Sequence, residues 1–309
     1  MRAVRYTDAG LDVLEVDDPT GPDIVTVRSS GVCSSDLEMR SWGPRPVTLG
    51  HEFAGHDANG RAVAVLPNRP CGTCDQCTAE RVELCRTLKP SILGFFADGG
   101  MADAVVAEPD RLAPLPASLD VRDACLVEPI AVALHALHAV TAPADAPVLV
   151  VGGGAIGLSC AVVGRRLGWD VSVVTRHPFQ QAAAERLGVG TGCSGEYELV
   201  IEAAGSQSAL DLAIEHVRPG GTVSIPAMYA DGASLGVDFS MKEVRLVPSF
   251  TYGHHAGRRE FDEAVAVVAE EPELAPTLIT HRYPLDDARE AFRVAADRAA
   301  GAIKVVLEP

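Results

Sequence analysis

The spacing of hydrophobic and polar positions changes near the middle of the chain. In residues 1–120, short alternating runs such as Val25–Arg28 and Arg61–Val65 are separated by Gly and Pro turns. Alternation with a period of two is typical of β-strands. The segment 130–140 is instead rich in Ala and Leu, and Pro129 suits the first turn of a helix. The first part of the chain is therefore predicted to be β-rich and to end where this helix begins.

From Val148 onward, apolar strand patterns and helical patterns alternate. The predicted strands are 148–152, 170–175, 198–203, 221–226 and 244–250. The predicted helices are 155–168, 178–188 and 207–217. Such alternation implies an α/β fold with a doubly wound parallel sheet. The last part of the chain adds predicted helices over 258–270 and 285–297 and a final strand over 303–307.

A glycine-rich turn follows the first strand of the alternating region. The pattern G-x-G-x-x-G allows a tight turn, close approach of the backbone to a pyrophosphate, and packing of the following helix on the strand. The helix N-terminus also attracts the anion. The predicted cofactor-binding residues here are Gly152, Gly154, Ala155, Ile156 and Gly157. The alternative is a glycine-rich turn in a doubly wound domain that binds no cofactor.

The end of the second predicted strand indicates which nicotinamide nucleotide would bind. An acidic residue at this position would accept hydrogen bonds from the ribose 2′-hydroxyl of NAD(H). This chain has Thr175, Arg176 and His177 there instead. Because a guanidinium can pair with a 2′-phosphate, the sequence favours NADP(H) over NAD(H). The alternative is that Arg176 is only a solvated residue at a strand end and that neither nucleotide is strongly preferred.

Four clustered cysteines indicate a metal site in the first part of the chain. Their spacing is C-x2-C-x2-C-x7-C, formed by Cys71, Cys74, Cys77 and Cys85. Short loops of this length can place four thiolates around one tetrahedral Zn²⁺. Because four protein ligands leave no open position, the predicted zinc is structural and not catalytic.

The composition narrows the class of protein. The chain has 309 residues, of which 47% are hydrophobic, and a net charge of −16. These values predict a globular protein of two domains and argue against nucleic acid as a partner, since phosphate binding needs a basic face. The N-terminal sequence resembles no signal peptide, and no apolar stretch is long enough for a membrane span. Eight cysteines without a secretory signal predict reduced thiols and a cytoplasmic protein.

Cys33, His51 and Glu52 offer sulfur, nitrogen and oxygen ligands, as catalytic zinc sites do. Each residue by itself could equally be a packed side chain. Together with Ser35 and Asp36, the four-cysteine lobe, Glu128-Pro129 and the glycine turn, however, they give the chain a specific resemblance. It resembles the zinc-dependent medium-chain dehydrogenase/reductase superfamily, in the branch containing sorbitol, threonine and glucose dehydrogenases. The resemblance covers essentially the whole chain.

The resemblance implies a domain arrangement and roles for individual residues. A GroES-like β-barrel catalytic domain would comprise 1–130 and 253–309, and a Rossmann domain would comprise 131–252. Cys33 and His51 would hold the catalytic zinc, which makes two zinc ions per chain. The catalytic residues would also include Asp36, which orients the zinc histidine, and Ser35, which hydrogen-bonds the substrate alcohol and begins the proton relay.

Several implied roles have alternatives. Glu52 or Glu128 would approach the zinc directly or through water, and the alternative for Glu128 is a carboxylate that caps a helix. Lys304 matches a basic position near the cofactor pyrophosphate, or is a solvated lysine at a strand end. Glu38 stands where relatives often have a relay histidine, so it either passes protons or is merely exposed. Trp42, Phe95 and Phe96 fall in segments that line the substrate cleft in relatives, or belong to the core.

The expected reaction is hydride transfer between NADP(H) and a secondary alcohol or ketone, with a polyol, sugar or amino alcohol as substrate. Two alternatives remain open at this point. One is a simple alcohol or aldehyde reductase, and the other is a non-enzymatic redox sensor that binds zinc and NADPH. The resemblance also implies a homodimer or homotetramer, in which strand 244–250 would extend the sheet across subunits.

Overall fold

The computed structural model describes all 309 residues and divides them into two compact units. Unit 1 comprises Met1–Glu128 and Ala256–Pro309, and unit 2 comprises Pro129–His255. The strands are β1 (Arg2–Thr7), β2 (Gly10–Glu15), β3 (Ile24–Val32), β4 (Glu52–His56), β5 (Ala62–Val65), β6 (Ala104–Val106), β7 (Leu112–Pro114), β8 (Pro147–Val151), β9 (Asp170–Val174), β10 (Gly190–Thr191), β11 (Tyr197–Glu202), β12 (Val217–Ile225), β13 (Arg245–Pro248), β14 (His254–His255), β15 (Arg258–Arg259), β16 (Ile279–Pro284) and β17 (Lys304–Glu308).

The helices are mostly short. They are α1 (Ser34–Glu38), α2 (Asp75–Thr78), α3 (Val127–His138), α4 (Ala155–Arg166), α5 (Pro178–Arg186), α6 (Gln207–His216), α7 (Val237–Met241), α8 (Glu260–Glu270), α9 (Leu274–Leu278) and α10 (Ala288–Ala296). None of them combines the length and the apolar character that crossing a bilayer requires.

Unit 1 is built on a seven-stranded sheet with the order β16-β17-β3-β4-β5-β7, in which β6 also pairs with β3. The long strand β3 lies between β17 and β4 and is antiparallel to both. Within this register Gly31 faces Glu52, and Val32 faces Val305. The end of β3 therefore lies beside the first residues of β4 and β17. Alternate residues of the strands form an apolar core that includes Val25, Val27, Phe53, Val63 and Val65.

Unit 2 contains a six-stranded sheet with the order β10-β9-β8-β11-β12-β13, and every pairing in it is parallel. This confirms the predicted doubly wound sheet. The strand order reverses between β8 and β11, and ligands of such sheets bind outside the carboxyl ends of the strands at this position. Strand β8 is almost completely buried, as expected for a central strand with helices on both faces.

The predicted strands and helices of unit 2 agree with the structure within a few residues. The predicted strand 244–250 is shorter in the structure, where β13 comprises Arg245–Pro248, although Ser249 still donates its N–H to the carbonyl oxygen of Ile225. In unit 1, strand β16 has no counterpart among the predicted strands, since its sequence Ile-Thr-His-Arg-Tyr-Pro carries little apolar signal. Its pairing with β17 depends on a neighbour that is distant in the chain.

Candidate active site and metal centres

The ends of two adjacent strands bring three metal-ligating side chains together. Cys33 directly follows β3, whereas His51 and Glu52 stand at the start of β4. One ligand atom from each of the three residues lies within 4.8 Å of the other two. His51 and Glu52 are buried and Cys33 is partly exposed. A thiolate, an imidazole and a carboxylate with one side accessible form a donor set that suits a catalytic zinc.

Asp36 connects two of these residues. Its Oδ2 accepts a hydrogen bond from the backbone N–H of Cys33 at 2.9 Å, and its Oδ1 lies 3.5 Å from His51 Nδ1. Those two facing atoms are buried and have no other polar partner. Asp36 therefore favours the His51 tautomer that carries its proton on Nδ1, which leaves Nε2 free as a ligand atom. Ser35 Oγ lies on the other side of the ring, 3.4 Å from His51 Nε2.

The electrostatics of the cluster favour a cation. Burial opposes protonation of His51, but the nearby Asp36 carboxylate and the Cys33 thiol together hold the pKa of His51 well above its ordinary value. Buried charges need a compensating partner. The buried donor set of Cys33, His51 and Glu52, with Asp36 facing Nδ1 of His51, thus fits a bound Zn²⁺.

Lys304 supplies the positive charge that the protein itself places here. Its Nζ donates to Oε1 and Oε2 of Glu52 at 2.7 and 2.6 Å and lies 3.4 Å from the carbonyl oxygen of Val32. Both side chains are buried, so the expectation of a solvated lysine is wrong. Burial alone would lower the pKa of Lys304, but the Glu52 carboxylate outweighs this effect and raises it. The implied contact of Lys304 with a cofactor pyrophosphate stays a prediction.

Glu128 lies in the first turn of α3 and is buried. The ligand atoms that converge in the cluster are those of Cys33, His51 and Glu52. A carboxylate in the first turn also interacts favourably with the helix dipole. Both roles suggested for Glu128, the approach to zinc and the capping of the helix, therefore stay predictions.

The four cysteines of the lobe converge as their spacing predicts, with the Sγ atoms all within 4.8 Å of one another. The Sγ–Sγ distances are 3.6 Å between Cys74 and Cys77, 3.9 Å between Cys71 and Cys77, and 4.0 Å between Cys74 and Cys85. Tetrahedral Zn–S bonds of usual length require sulfurs about 3.8 Å apart. Hydrogen bonds from the backbone and hydroxyl of Thr73 and from the backbone of Cys74 lower the pKa of Cys71 to about 5, which favours the thiolate.

The glycine turn of unit 2 has the shape of a dinucleotide cradle. Gly152 directly follows β8 and has a φ of 117°, a conformation that side chains disfavour. A Cβ on Gly157 would lie 1.8 Å from the carbonyl oxygen of Gly152, so α4 can pack here only with glycine. A Cβ on Gly154 would meet nothing within 4 Å. The turn therefore leaves open space in front of the N-terminus of α4, where Ala155 and Ile156 begin the helix.

The residues after β9 adjoin this turn. A Cβ on Gly153 would lie 2.6 Å from Cγ2 of Thr175, so the Thr175 side chain flanks the turn. Arg176 is exposed, and its NH2 group donates to Oγ of Ser208 on α6 at 2.6 Å. His177 stands at the start of α5. Because β8 lies between β9 and β11, Arg176 and Ser208 approach each other across the end of β8.

Sequence reasoning missed a buried carboxylate at the same edge of the sheet. Glu202 is the last residue of β11, and its Oε1 accepts the backbone N–H groups of Ala204 and Gly205, both at 2.9 Å. Tyr229 donates its hydroxyl to Oε2 at 2.6 Å. A Cβ on Gly152 would lie 3.0 Å from Cβ of Ala204, so Glu202 fixes the loop against which the glycine turn packs. The only sequence signal was an acidic residue that ends an apolar strand.

Two protein-family models match the chain, one within unit 1 and one within unit 2. The family model described as "Alcohol dehydrogenase GroES-like domain" matches residues 21–117, and the one described as "Pyridine nucleotide-disulphide oxidoreductase" matches 147–183. D-altritol 5-dehydrogenase of Agrobacterium fabrum is 30% identical, over 93% of this chain and 94% of its own length. The chain belongs to the zinc-type medium-chain alcohol dehydrogenase family. Its fold is a GroES-like domain combined with a Rossmann-type parallel sheet, as the sequence predicts.

Other members of the zinc-type alcohol dehydrogenase family match over the whole chain. L-threonine 3-dehydrogenase of Saccharopolyspora erythraea is 30% identical, over 100% of this chain and 99% of its own length. A zinc-binding dehydrogenase of Sinorhizobium meliloti, solved with NADP bound, is 29% identical with a TM-score of 0.88, and the match covers 100% of this chain and 99% of that one. The protein is therefore an oxidoreductase with two zinc-type sites and a nicotinamide cofactor, and the non-enzymatic alternative falls away.

Proposed function

We propose that the protein catalyses the reversible oxidation of a secondary alcohol to a ketone, with a polyol, sugar or amino alcohol as substrate and NADP(H) as cofactor. The convergence of Cys33, His51 and Glu52 at one accessible point carries the proposal. The substrate class rests on D-altritol 5-dehydrogenase and L-threonine 3-dehydrogenase, which both match over nearly the whole chain. Reducing conditions in the cytoplasm would keep the clustered thiols available as metal ligands.

Cys33 and His51, with Glu52 or Glu128, would hold the catalytic zinc. When bound, Zn²⁺ acts as a Lewis acid towards the substrate oxygen, and the nicotinamide accepts or donates the hydride. The protein side chains position these groups and handle the proton. Asp36 keeps the proton of His51 on Nδ1 through their 3.5 Å contact, so that the ring presents Nε2.

Ser35 is the side chain best placed to handle the substrate proton. Its hydroxyl lies 3.4 Å from His51 Nε2, at the same point as the metal ligands, and can both donate and accept. We assign Ser35 Oγ as the atom that hydrogen-bonds the substrate hydroxyl and begins the proton relay, accepting the substrate proton while its own hydroxyl proton passes on to water. Glu38 ends α1, one turn after Ser35, and its participation in a relay stays a prediction.

The cofactor preference for NADP(H) is supported by the residues around the glycine turn. Arg176 brings an exposed guanidinium to Ser208, and Ser206 Oγ lies 3.3 Å from Ser208 Oγ. A guanidinium and two hydroxyl groups can all donate hydrogen bonds to a phosphate. No carboxylate follows β9 to accept a ribose 2′-hydroxyl or to repel a 2′-phosphate.

The homodimer or homotetramer that the family resemblance implies would use the free edge of the parallel sheet as a subunit contact. Strand β13 is the last strand in the order, and α7 just before it exposes 70% of Val237 and 76% of Met241. Exposed apolar side chains and an unpaired strand edge each favour association with a second chain. Light scattering should give two or four times the chain mass, and Met241→Asp should shift the protein towards smaller species. A wild-type protein that is monomeric at micromolar concentration would contradict this proposal.

The activity is tested with zinc-loaded protein, NADP⁺ and a panel of polyols, amino alcohols and simple alcohols. We expect turnover of at least one polyol, sugar or amino alcohol, and loss of turnover in Cys33→Ala with retained NADPH binding. Cys193→Ser is a suitable control because Cys193 is exposed and lies outside both metal clusters. Turnover of benzyl or aliphatic primary alcohols alone would instead support the simple alcohol reductase.

A further inference from the structure

A series of ring contacts leads from the catalytic cluster to the surface of unit 1. The rings of His51 and Phe95 have centroids 4.7 Å apart, and those of Phe95 and Trp42 are 6.3 Å apart. Trp42 is 50% exposed. Phe96 neighbours Phe95, with centroids 6.4 Å apart. The aromatic residues that were ambiguous in the sequence therefore form a surface that begins at the metal-ligating histidine and ends in solvent.

Arg45 lies over this aromatic surface. Its Cζ is 5.0 Å from the centroid of Trp42 and 5.4 Å from that of Phe96, and its NH2 group donates to the carbonyl oxygen of Phe95 at 2.7 Å. These contacts hold the guanidinium in one orientation. Arg45 forms no ion pair with any carboxylate of the chain, and its remaining side-chain N–H groups have no protein acceptor. The Arg45 guanidinium is therefore a cation held in a fixed orientation, with N–H groups still available to donate hydrogen bonds.

A second cation, the ammonium of Lys89, lies over the ring of Phe96, which Arg45 also contacts. Nζ of Lys89 is 5.1 Å from the centroid of Phe96 and also lacks an ion-pair partner. The chain has only three lysines, and the protein uses the other two internally. Lys304 pairs with buried Glu52, and Lys242 donates to carbonyl groups at the end of α6. The aromatic surface that leads to His51 therefore holds two cations without ion-pair partners, in a chain whose net charge is −16.

We propose that the substrate carries an anionic group, a phosphate or a carboxylate, and that Arg45 binds it while Lys89 adds attraction. This inference rests on the proposed function, since it concerns the alcohol oxidised at the Cys33–His51–Glu52 cluster. A planar guanidinium presents paired N–H donors that match the oxygens of either anion. The groups that contact this guanidinium are the rings of Trp42 and Phe96 and one backbone carbonyl, none of which carries a negative charge. Arg45 is thus a residue that determines specificity and takes no part in hydride transfer.

The test compares three matched probes: a hexitol, its phosphate ester and the corresponding hexonate. Binding to the zinc-loaded protein with NADP⁺ is measured by calorimetry, and kcat/KM is measured in parallel. The wild type should prefer at least one anionic probe over the hexitol by roughly tenfold or more, through KM. The relative values for the phosphate and the carboxylate identify which anion the site takes.

Substitutions of Arg45 separate charge recognition from support of the fold. Arg45→Met should reduce the preference for the anionic probe by roughly 10- to 100-fold and leave the hexitol within about twofold, whereas Arg45→Lys should retain part of the preference. Arg298→Met removes an exposed arginine elsewhere and should change nothing. An equal loss for all three probes in Arg45→Met, or a wild type that prefers the neutral hexitol, would overturn the inference. Arg45-dependent binding without any turnover would contradict the proposed activity alone.

Discussion

The ammonium of Lys304 and the carboxylate of Glu52 form a buried ion pair, with Nζ 2.7 and 2.6 Å from the two carboxylate oxygens. Glu52 also belongs to the cluster with Cys33 and His51. The same carboxylate thus faces a protein cation and a metal site. Strand β3 lies between the strands that contribute these two residues, so the sheet itself fixes the pair beside the metal ligands.

We expect Lys304→Met to destabilise the protein by about 3–5 kcal/mol, because it leaves a buried carboxylate without a compensating charge. The double variant Lys304→Met/Glu52→Gln should recover a large part of this loss, since it removes both charges. Urea unfolding of metal-free protein measures the effect, and Arg298→Met serves as a control at an exposed arginine. A cost below about 1 kcal/mol for the single variant would show that the pair is not buried in solution.

The four-cysteine lobe should depend on its metal for structure. Cys77 is buried and its Sγ lies within 4.0 Å of the Sγ atoms of Cys71 and Cys74. Cys77→Ser should therefore reduce the zinc content from two ions per chain to one and lower the melting temperature. Metal analysis and thermal unfolding measure both effects, with Cys193→Ser as the matched control. Two zinc ions retained in Cys77→Ser would mean that the lobe is not a zinc site.

Arg176 should decide between the two nicotinamide nucleotides. Arg176→Met should weaken NADPH binding by roughly 10- to 100-fold and change NADH binding little, because only NADPH carries a 2′-phosphate. Fluorescence titration of both nucleotides on one preparation measures the effect. Arg186→Met removes an exposed arginine from α5 and should leave both affinities unchanged. Equal weakening of the two nucleotides would point to a general role of Arg176 in the turn.

Tyr6 should make stability pH-dependent under alkaline conditions. Its hydroxyl donates to the backbone oxygen of Asp36 at 3.0 Å, and burial followed by the charge of Asp36 raises the pKa of Tyr6 to about 12. An unfolded tyrosine titrates near 10. The folded state therefore holds the proton more tightly, and the resulting stability is present below pH 10 and is lost as the pH rises through about 12.

The comparison of wild type with Tyr6→Phe isolates this titration. Below pH 10 the variant should be less stable by about 1 kcal/mol, because it lacks the hydrogen bond to Asp36. The difference should shrink between pH 10 and 12, since only the wild type must then ionise a buried phenol. Chemical unfolding at pH 8, 10 and 11.5 measures it. A difference that does not change with pH would show that the hydroxyl reaches solvent freely.

Local patterns in the sequence determined most of unit 2 and the four-cysteine metal site, whereas Cys33, His51 and Glu52 were indicated by the resemblance of the whole chain to a known family. The strands and helices around Gly152–Gly157 are regular, and their apolar residues repeat with the period of each element. The four cysteines lie close together in the chain, so short loops were sufficient to predict that Cys71 and Cys85 would meet. These features depend on residues that lie near one another in the chain, so they can be predicted from the sequence alone.

Contacts between distant segments were decided only by the tertiary structure. Lys304 and Glu52 are separated by 252 residues, and no pattern near either residue indicates the other. The same holds for Tyr229 with Glu202, and for Arg45 with the rings of Trp42 and Phe96. A buried charge is stable only beside a compensating partner, and strand pairing in the folded sheet selects that partner. Local sequence sets which residues can ionise, whereas the fold decides which charges meet.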